Sequence, residues 1–206
     1  MHPNPVYHTA DTEKNIAWAR DRAFGILSVA LPDTAPFLSH IPFLLSEDGA
    51  TADMHLVRSN PIARALTKGP LPARLAVSGP DSYVSPDWYG IADQVPTWNY
   101  VAVHLTGVID LRPAGDLRDL LDRQSAFYEA RLAPKPAWTT AKMDPEALEK
   151  MMRMIVPARM RIDEVDGTWK LSQNKADDVR LRAADHMDSH GFGTEPGILA
   201  ALMRDA

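Results

Sequence analysis

Three short segments concentrate the side chains that can recognise a planar, polar ligand. Ser85–Tyr89 reads SPDWY, Val95–Tyr100 reads VPTWNY, and Trp169–Asn174 reads WKLSQN. The first two segments hold two of the five Trp and two of the five Tyr residues. Rigid Pro-containing loops with large aromatic side chains are costly to leave in water, so these loops are expected to line a pocket or an interface. Simple packing at the end of the sheet is an equal alternative on this pattern alone.

The WKLSQN segment has the alternation of a strand, which turns successive side chains to opposite faces. Lys170, Ser172 and Asn174 share the polar face. A Lys ammonium and a Ser hydroxyl two residues apart form a donor pair suited to a phosphate or a ring carbonyl. A polar strand that merely faces solvent is the competing interpretation.

Short β-type runs and a few helices must position these segments. Strands are predicted at Ile26–Ala30, Pro36–Leu45, Met54–Arg58, Ala73–Ser78, Tyr83–Ser85 and Trp98–Leu111. Amphipathic helices are predicted at Asp11–Ala23, after Asn60, at Asp116–Leu132 and from Asp144 to Pro157 with Leu148, Met151, Met152 and Ile155 buried. Asp166-Gly167 separates two alternating runs, Met160–Val165 and Thr168–Gln173, and therefore predicts a two-residue hairpin turn.

This order of elements favours a barrel-like, mainly β fold with helical additions, of the α+β class, rather than alternating βαβ units. One domain is predicted over residues 1–175, with inserted helices at about 115–156. Residues 176–206 are expected to form a helical tail that packs on the barrel or on a dimer partner.

Composition excludes several classes of protein. The chain has no cysteine, which rules out a disulfide scaffold, an iron–sulfur site and a thiol nucleophile. With 22 Lys plus Arg against 27 Asp plus Glu, the net charge is −5, which argues against a strong nucleic-acid binder. No apolar run reaches the length of a membrane span, and the N-terminal residues resemble no targeting signal, so a cytoplasmic protein is expected.

Two further motifs in the C-terminal part of the chain only partly match known binding sites. His186 and His190 lie four residues apart, as zinc ligands on a helix can, but Met187 stands where a zinc hydrolase carries Glu, so no metal site is predicted. Gly191-Phe192-Gly193 begins like a dinucleotide-binding loop, but no strand precedes it and Pro196 follows it.

Taken together, the motifs resemble the PaiB family, an FMN-binding split-barrel group related to pyridoxamine phosphate oxidase and named for negative transcriptional regulation. The resemblance spans roughly residues 1–180, with Ile41 and Pro157 departing from the family pattern. The matching stretches are His40–Leu45, His55–Pro61, Gly79–Tyr89, Val95–Tyr100 with His104, and Trp169–Asn174.

The resemblance implies a homodimer of six-stranded FMN-binding split β-barrels with FMN in a groove between the subunits. Arg58, Asn60 and Lys170 are expected at the FMN phosphate. Trp88, Tyr89 and Trp98 are expected to form the apolar wall of the isoalloxazine, whose polar edge would bond Ser85, Thr97, Asn99, Ser172 and Gln173. His40 and His55 are expected to touch flavin or substrate, or else to be hydrogen-bonded core histidines.

Three functions follow as hypotheses, and no catalytic acid or base is identifiable for any of them. The first is an FMN-dependent oxidoreductase or a flavin-linked regulator, in which the cofactor performs the redox step. The second is a negative regulator that binds DNA directly, which the charge of −5 and the lack of a helix-turn-helix pattern argue against. The third is a haem-binding or haem-degrading split barrel, with an axial ligand among His40, His55, His186 and His190.

Overall fold

The computed structural model describes residues 2–206 as a sheet with helical additions, which confirms the expected α+β class. The strands are β1 Phe24–Val29, β2 Phe37–Pro42, β3 Leu44–Leu45, β4 Thr51–Val57, β5 Leu71–Val84, β6 Thr97–Leu111, β7 Ile155–Lys170 and β8 Gly193–Thr194. The α-helices are α1 Thr12–Arg22, α2 Pro61–Leu66, α3 Leu117–Glu129, α4 Pro145–Met152, α5 Asp177–His190 and α6 Pro196–Arg204.

The strands follow the order β2-β1-β5-β6-β7-β4-β3, with β8 paired to β5 outside this path. The path has seven strands, one more than the six that the resemblance implies, and the run that contains Pro42 is divided into β2 and the two-residue β3. Phe43, between these strands, is fully buried and donates its backbone N–H to the Ala23 carbonyl at 2.9 Å. The bend at Pro42 thus buries an aromatic side chain.

Strand β5 is continuous where two strands were predicted. The expected break at Gly79-Pro80 is wrong, since both residues lie within β5 and both are buried. A Cβ at Gly79 would stand 2.9 Å from Cζ2 of Trp18 and 2.9 Å from Cβ of Val101. The glycine therefore allows Trp18 and Val101 to pack closely against the strand, and it does not form a turn.

The predicted hairpin at Asp166-Gly167 is also wrong, since β7 runs through both residues. A Cβ at Gly167 would lie 2.0 Å from Oδ1 of Asn15, which is a buried residue of α1. That same oxygen accepts a hydrogen bond from Nε1 of Trp169 at 2.8 Å. The glycine makes room for α1, and this tertiary requirement outweighs the local turn preference of an Asp-Gly pair.

Helix α4 is shorter and more exposed than predicted. It ends at Met152 and has no buried residue, and Met151 is 58% exposed. Ile155 opens β7 instead of closing the helix, and Pro157 lies inside that strand opposite His55. Strand β7 pairs with β4 over seven register positions. Residues 155–157 are therefore in a strand, although the helical spacing had predicted them at the end of α4.

The chain forms two compact units. The first combines the chain up to Arg22 with Val77–His104 and Val165–Ala206. Helices α5 and α6 pack together in this unit and supply half or more of its core. The buried cluster consists of Val84, Tyr89, Val101, Trp169, Leu171, Val179, Ala183, Ala184, Met187, Leu199, Ala200 and Met203.

The second unit contains Ala23–Ala76 and Leu105–Glu164. Its strands bury alternate apolar side chains, including Leu27, Met54 and Leu105, as period-2 patterning requires. Asp53 is only 8% exposed and accepts charged hydrogen bonds from Arg159 at 2.6 Å and Arg123 at 3.1 Å. Burial opposes ionisation, but these two bonds hold the pKa of Asp53 below its usual value.

Within residues 2–206, no helix combines the length and the apolar character that crossing a membrane requires.

Gly107 in the second unit gives a direct test of the close strand packing. A Cβ there would lie 1.8 Å from the backbone oxygen of Arg161, which cannot move independently of β7. We expect Gly107→Ala to lower the free energy of unfolding, measured by urea denaturation, by about 1–3 kcal/mol or more. Gly115→Ala is the matched control, because nothing lies within 4 Å of its Cβ position, and it should stay within about 0.5 kcal/mol. Equal effects of the two substitutions would contradict this packing.

Candidate functional site

Five of the predicted cofactor residues line one cavity in the first unit, which we call the Asn99 cavity. They come from three separate segments: Tyr89, Thr97 with Asn99, and Lys170 with Ser172. The cavity has a volume of about 180 Å³, below the range of about 300–1,000 Å³ typical of complete ligand sites. It is therefore large enough for part of a cofactor.

Local capping positions the aromatic side of the cavity. Ser85 caps the 3₁₀ turn Pro86–Tyr89, and Gly90 follows it in the left-handed conformation at φ 63°. Arg182 of α5 donates Nη1 to the Tyr89 carbonyl at 2.7 Å. These contacts fix the backbone at Tyr89, a residue that is 3% exposed.

A buried hydrogen-bond network joins the three segments. Nδ2 of Asn99 donates to Oγ of Ser172 at 2.9 Å, and the Tyr89 hydroxyl lies 2.9 Å from the same Oγ. Asn99 is fully buried, and its Oδ1 has no hydrogen-bond partner within residues 2–206. An unpaired buried carbonyl oxygen costs about 1–3 kcal/mol. Oδ1 of Asn99 is therefore a buried acceptor that the described residues leave unsatisfied.

Ser172 adds a second local cost. Its φ is +63°, a conformation that costs a residue with a Cβ about 1–2 kcal/mol. The turn places Ser172 Oγ between Asn99 and Tyr89, so the strained backbone serves the network. Backbone strain beside an unsatisfied buried group is characteristic of functional sites.

The cavity is electropositive. Lys170 donates Nζ to Thr97 Oγ1 at 2.5 Å, and burial lowers the pKa of Lys170. Lys175 donates Nζ to Gln94 Oε1 at 2.5 Å and lies 5.2 Å from the centre of the Tyr89 ring. No carboxylate is among the lining residues. The cavity thus favours an electron-rich ligand edge.

The remaining predicted residues of the first unit make other contacts. Ser85 caps the 3₁₀ turn, and Trp88 stacks on His186 with ring centres 6.1 Å apart. Trp98 is 40% exposed and donates Nε1 to Asp81 at 3.2 Å. Gln173 accepts from Leu171 N and donates to the Trp169 carbonyl, so it braces the turn that carries Ser172.

Four predicted residues lie in the second unit. His40 is exposed and stacks on Phe24, whereas His55 pairs Nδ1 with Gln124 Oε1 at 2.9 Å. Arg58 donates to the carbonyls of residues 153 and 155. Asn60 caps α2 through Oδ1 and donates Nδ2 to Ser39 Oγ at 3.1 Å. Much of the hydrogen-bonding capacity of Arg58 and Asn60 is thus used within the chain.

Sequence reasoning missed several residues that line the Asn99 cavity. The missed residues are His2, Tyr7, Gln94 and Lys175, while Val95 and Asn174 lie within the motifs that the sequence singled out but were given no cofactor role. Lys175 follows the WKLSQN motif directly, so continuing the motif by one residue would have found it. Tyr7 carried no such signal, because only the fold brings the N-terminal segment to this site.

His186 and His190 lie near the C-terminal end of α5. The rings of His186 and His190 lie 6.3 Å apart, and His186 packs on Trp88. No group of three or more His, Cys, Asp or Glu side chains suited to a metal ion occurs in residues 2–206.

Comparison with known families identifies the chain. Residues 1–164 match the family described as "Putative FMN-binding domain". The chain belongs to this FMN-binding family. It is 26% identical over 177 residues to the "Protease synthase and sporulation protein PAI 2" of Bacillus subtilis, covering 85% of this chain and 83% of the relative. These matches confirm the PaiB-type resemblance recognised from the motifs.

Solved structures share the fold of this FMN-binding protein. The FAD and heme binding protein from Mycobacterium smegmatis aligns with a TM-score of 0.57 at 16% identity, covering 90% of this chain and 81% of that one. The conserved hypothetical protein Rv2991 from Mycobacterium tuberculosis aligns at 0.58 and 12% identity, covering 85% and 94%. The likeness confirms the expected split-barrel class, and FMN is the cofactor that the family indicates.

The Asn99 cavity suits the polar edge of FMN. The pyrimidine edge of an isoalloxazine presents two carbonyl oxygens on either side of one N–H group. The unpartnered Oδ1 of Asn99 would accept a hydrogen bond from that N–H, and the Lys170 ammonium would donate to a carbonyl. The chemistry of the donors and of the acceptor therefore fits the cofactor.

Two substitutions of Ser172 test the network and its strain. Both Ser172→Ala and Ser172→Gly remove the hydroxyl between Asn99 and Tyr89, but only Gly adopts φ +63° without a steric penalty. We expect Ser172→Ala to lower the free energy of unfolding, measured by urea denaturation, by about 1–3 kcal/mol. The free energy of unfolding of Ser172→Gly should be about 1 kcal/mol higher than that of Ser172→Ala. A glycine variant no more stable than the alanine variant would contradict the strain.

Proposed function

We propose that the chain is an FMN-dependent oxidoreductase whose Asn99 cavity receives the pyrimidine edge of the isoalloxazine. The observation that carries the proposal is the fully buried Oδ1 of Asn99, which has no partner within residues 2–206. Because this oxygen has almost no accessible surface, a flavin N–H would reach it only after the side chains that cover it move, and the new hydrogen bond would then remove the cost of the unpaired acceptor. Strain at Ser172 supports the same location.

FMN supplies transfer of hydride or of single electrons, and the protein supplies binding and electrostatics. Lys170 would donate to a ring carbonyl, and its positive charge would favour electron density at that edge. Tyr89 keeps Ser172 in place through their hydroxyl contact. Thr97 holds Lys170 Nζ, so the ammonium is oriented before the cofactor arrives.

We further propose that the site is completed by a second copy of the chain. A volume of 180 Å³ accepts only part of FMN, so another surface must cover the remainder. Beside the cavity, Val95 is 73% exposed and Trp98 is 40% exposed. In the second unit, Val57, Met151 and Met154 are each more than half exposed, although large apolar side chains are normally buried.

Direct DNA recognition has less support. The chain carries a net charge of −5, whereas phosphate contacts need clustered Lys and Arg. The Bacillus subtilis relative is named for protease synthesis and sporulation, and a regulatory role of this chain would more naturally pass through its flavin than through an operator. A gel shift with a steep salt dependence would contradict this view.

An FMN analogue methylated at the ring N–H tests the proposed pairing. We expect wild-type protein to bind 3-methyl-FMN at least about tenfold more weakly than FMN, because the methyl group removes the donor that Oδ1 of Asn99 requires. Quenching of flavin fluorescence measures both affinities. Asn99→Leu should bind the two flavins with similar affinity.

The matched control is Gln124→Leu, which removes a buried side-chain amide of the second unit outside the Asn99 cavity, and this variant should keep the preference for FMN. Equal wild-type affinity for FMN and 3-methyl-FMN would contradict the role of Asn99. A Soret band on adding haemin, without binding of FMN, would contradict the proposed function and favour haem, which the Mycobacterium smegmatis protein is named for binding.

A charge placed in the exposed apolar surface tests the second copy. We expect a double substitution, Val57→Glu with Met154→Glu, to convert a dimer into a monomer and to weaken FMN binding, as measured by analytical ultracentrifugation and fluorescence. Leu132→Glu, in an apolar side chain that is 52% exposed, is the control and should leave the dimer intact. A wild-type monomer that binds FMN would contradict this part of the proposal.

A further inference from the structure

A second cavity lies in the second unit, and we call it the His55 cavity. Its volume is about 320 Å³, within the range of small-molecule sites. Strand β4 contributes His55, α3 contributes Leu121, Ser125 and Tyr128, and the segment after α3 contributes Trp138. The lining is mainly apolar and aromatic, with a histidine as its distinctive polar group.

Gln124 fixes the proton on the histidine ring. Gln124 is 5% exposed and donates Nε2 to the Pro42 carbonyl at 3.3 Å, which turns Oε1 toward Nδ1 of His55 at 2.9 Å. An amide oxygen only accepts, so Nδ1 must carry the hydrogen. In the neutral ring Nε2 is then an acceptor, and it has no hydrogen-bond partner within residues 2–206.

The surroundings keep the ring neutral. Burial lowers the pKa of His55, and the bond to Gln124 opposes this only in part. Glu129, which also lines the cavity, is bound by Lys135 Nζ and by the backbone N–H of Trp138, and these bonds lower its pKa.

The other charged groups near His55 are also paired. Asp53, two residues before His55 on β4, is held by Arg123 of α3 and Arg159 of β7. A ligand in the cavity therefore meets a neutral acceptor inside an apolar wall, with the nearby carboxylates already bound to cations.

We propose that the His55 cavity binds a small neutral aromatic molecule that carries one hydroxyl donor, of the phenol class. The hydroxyl donates to Nε2 of His55, and the ring packs against Leu121 and Trp138. An anionic ligand is disfavoured, because the neutral imidazole offers it an acceptor and the ionised carboxylate of Glu129 in the lining repels it. This site lies in the second unit and requires nothing of the flavin, so it can fail while the proposed function stands, and the reverse also holds.

Matched probes test this site. p-Cresol and p-xylene have nearly the same shape and differ in the hydroxyl, and Trp fluorescence or proton NMR gives their affinities for the FMN-free full chain. We expect p-cresol to bind at least about tenfold more tightly than p-xylene. His55→Phe should bind the two with similar affinity, and His40→Phe, in an exposed histidine outside the cavity, should keep the preference. Equal affinities in wild type, or no binding of either at millimolar concentration, would overturn the proposal.

A measurement on wild-type protein guards against variants that fail to fold. Long-range ¹H–¹⁵N NMR of the histidine rings should show Nε2 of His55 unprotonated at pH 7 and shifted by p-cresol but not by p-xylene. As the pH falls through the lowered pKa of His55, the ring gains its second proton, so the affinity for p-cresol should fall while that for p-xylene stays constant. A proton on Nε2 at pH 7 would overturn the proposal.

Discussion

The hydrogen bond from Asn99 to Ser172 is the interaction on which the first unit's site depends. It joins the start of β6 to the turn after β7, and the Tyr89 hydroxyl closes the network from a third segment. The arrangement is costly, because Ser172 is held at positive φ and Oδ1 of Asn99 is buried without a partner. Both costs lie beside the cavity that gathers residues of the three aromatic and polar motifs.

Packing around this network explains why it persists. Met203 of α6 contacts Asn99 Nδ2 through its Sδ at 3.4 Å, and Met203 belongs to the buried cluster that α5 and α6 build. The C-terminal helices thus pack against the Asn99 side chain as well as supplying core residues. In the second unit, a different polar network holds α3 on β4, through Asp53 with its two arginines and through His55 with Gln124.

The sequence predicted the site best where one short motif contains both the polar side chains and the strand or loop that positions them. VPTWNY and WKLSQN named Thr97, Asn99, Lys170 and Ser172, and the fold places all four at one cavity. Strand β6 was predicted over Trp98–Leu111 from its β-type residues, and the structure buries every second residue from Asn99 to Ile109.

Errors arose where a tertiary contact outweighed a local signal. Asp166-Gly167 predicts a turn, yet Gly167 serves the close approach of Asn15. Gly79, as a glycine before a proline, predicts a break between two strands, yet it lies inside β5, where the lack of a side chain allows Trp18 to pack closely. The contribution of Tyr7 and the partnership of His55 with Gln124, 69 residues apart, depend on the fold alone and leave no local pattern.

The most direct test of the central claim is an NMR spectrum of the protein bound to FMN, recorded on the flavin N–H proton. We expect this proton to be protected from exchange with water and to show a nuclear Overhauser effect to the side-chain amide protons of Asn99. A flavin N–H that exchanges as fast as in free FMN, or whose Overhauser effects reach only residues outside the Asn99 cavity, would contradict it.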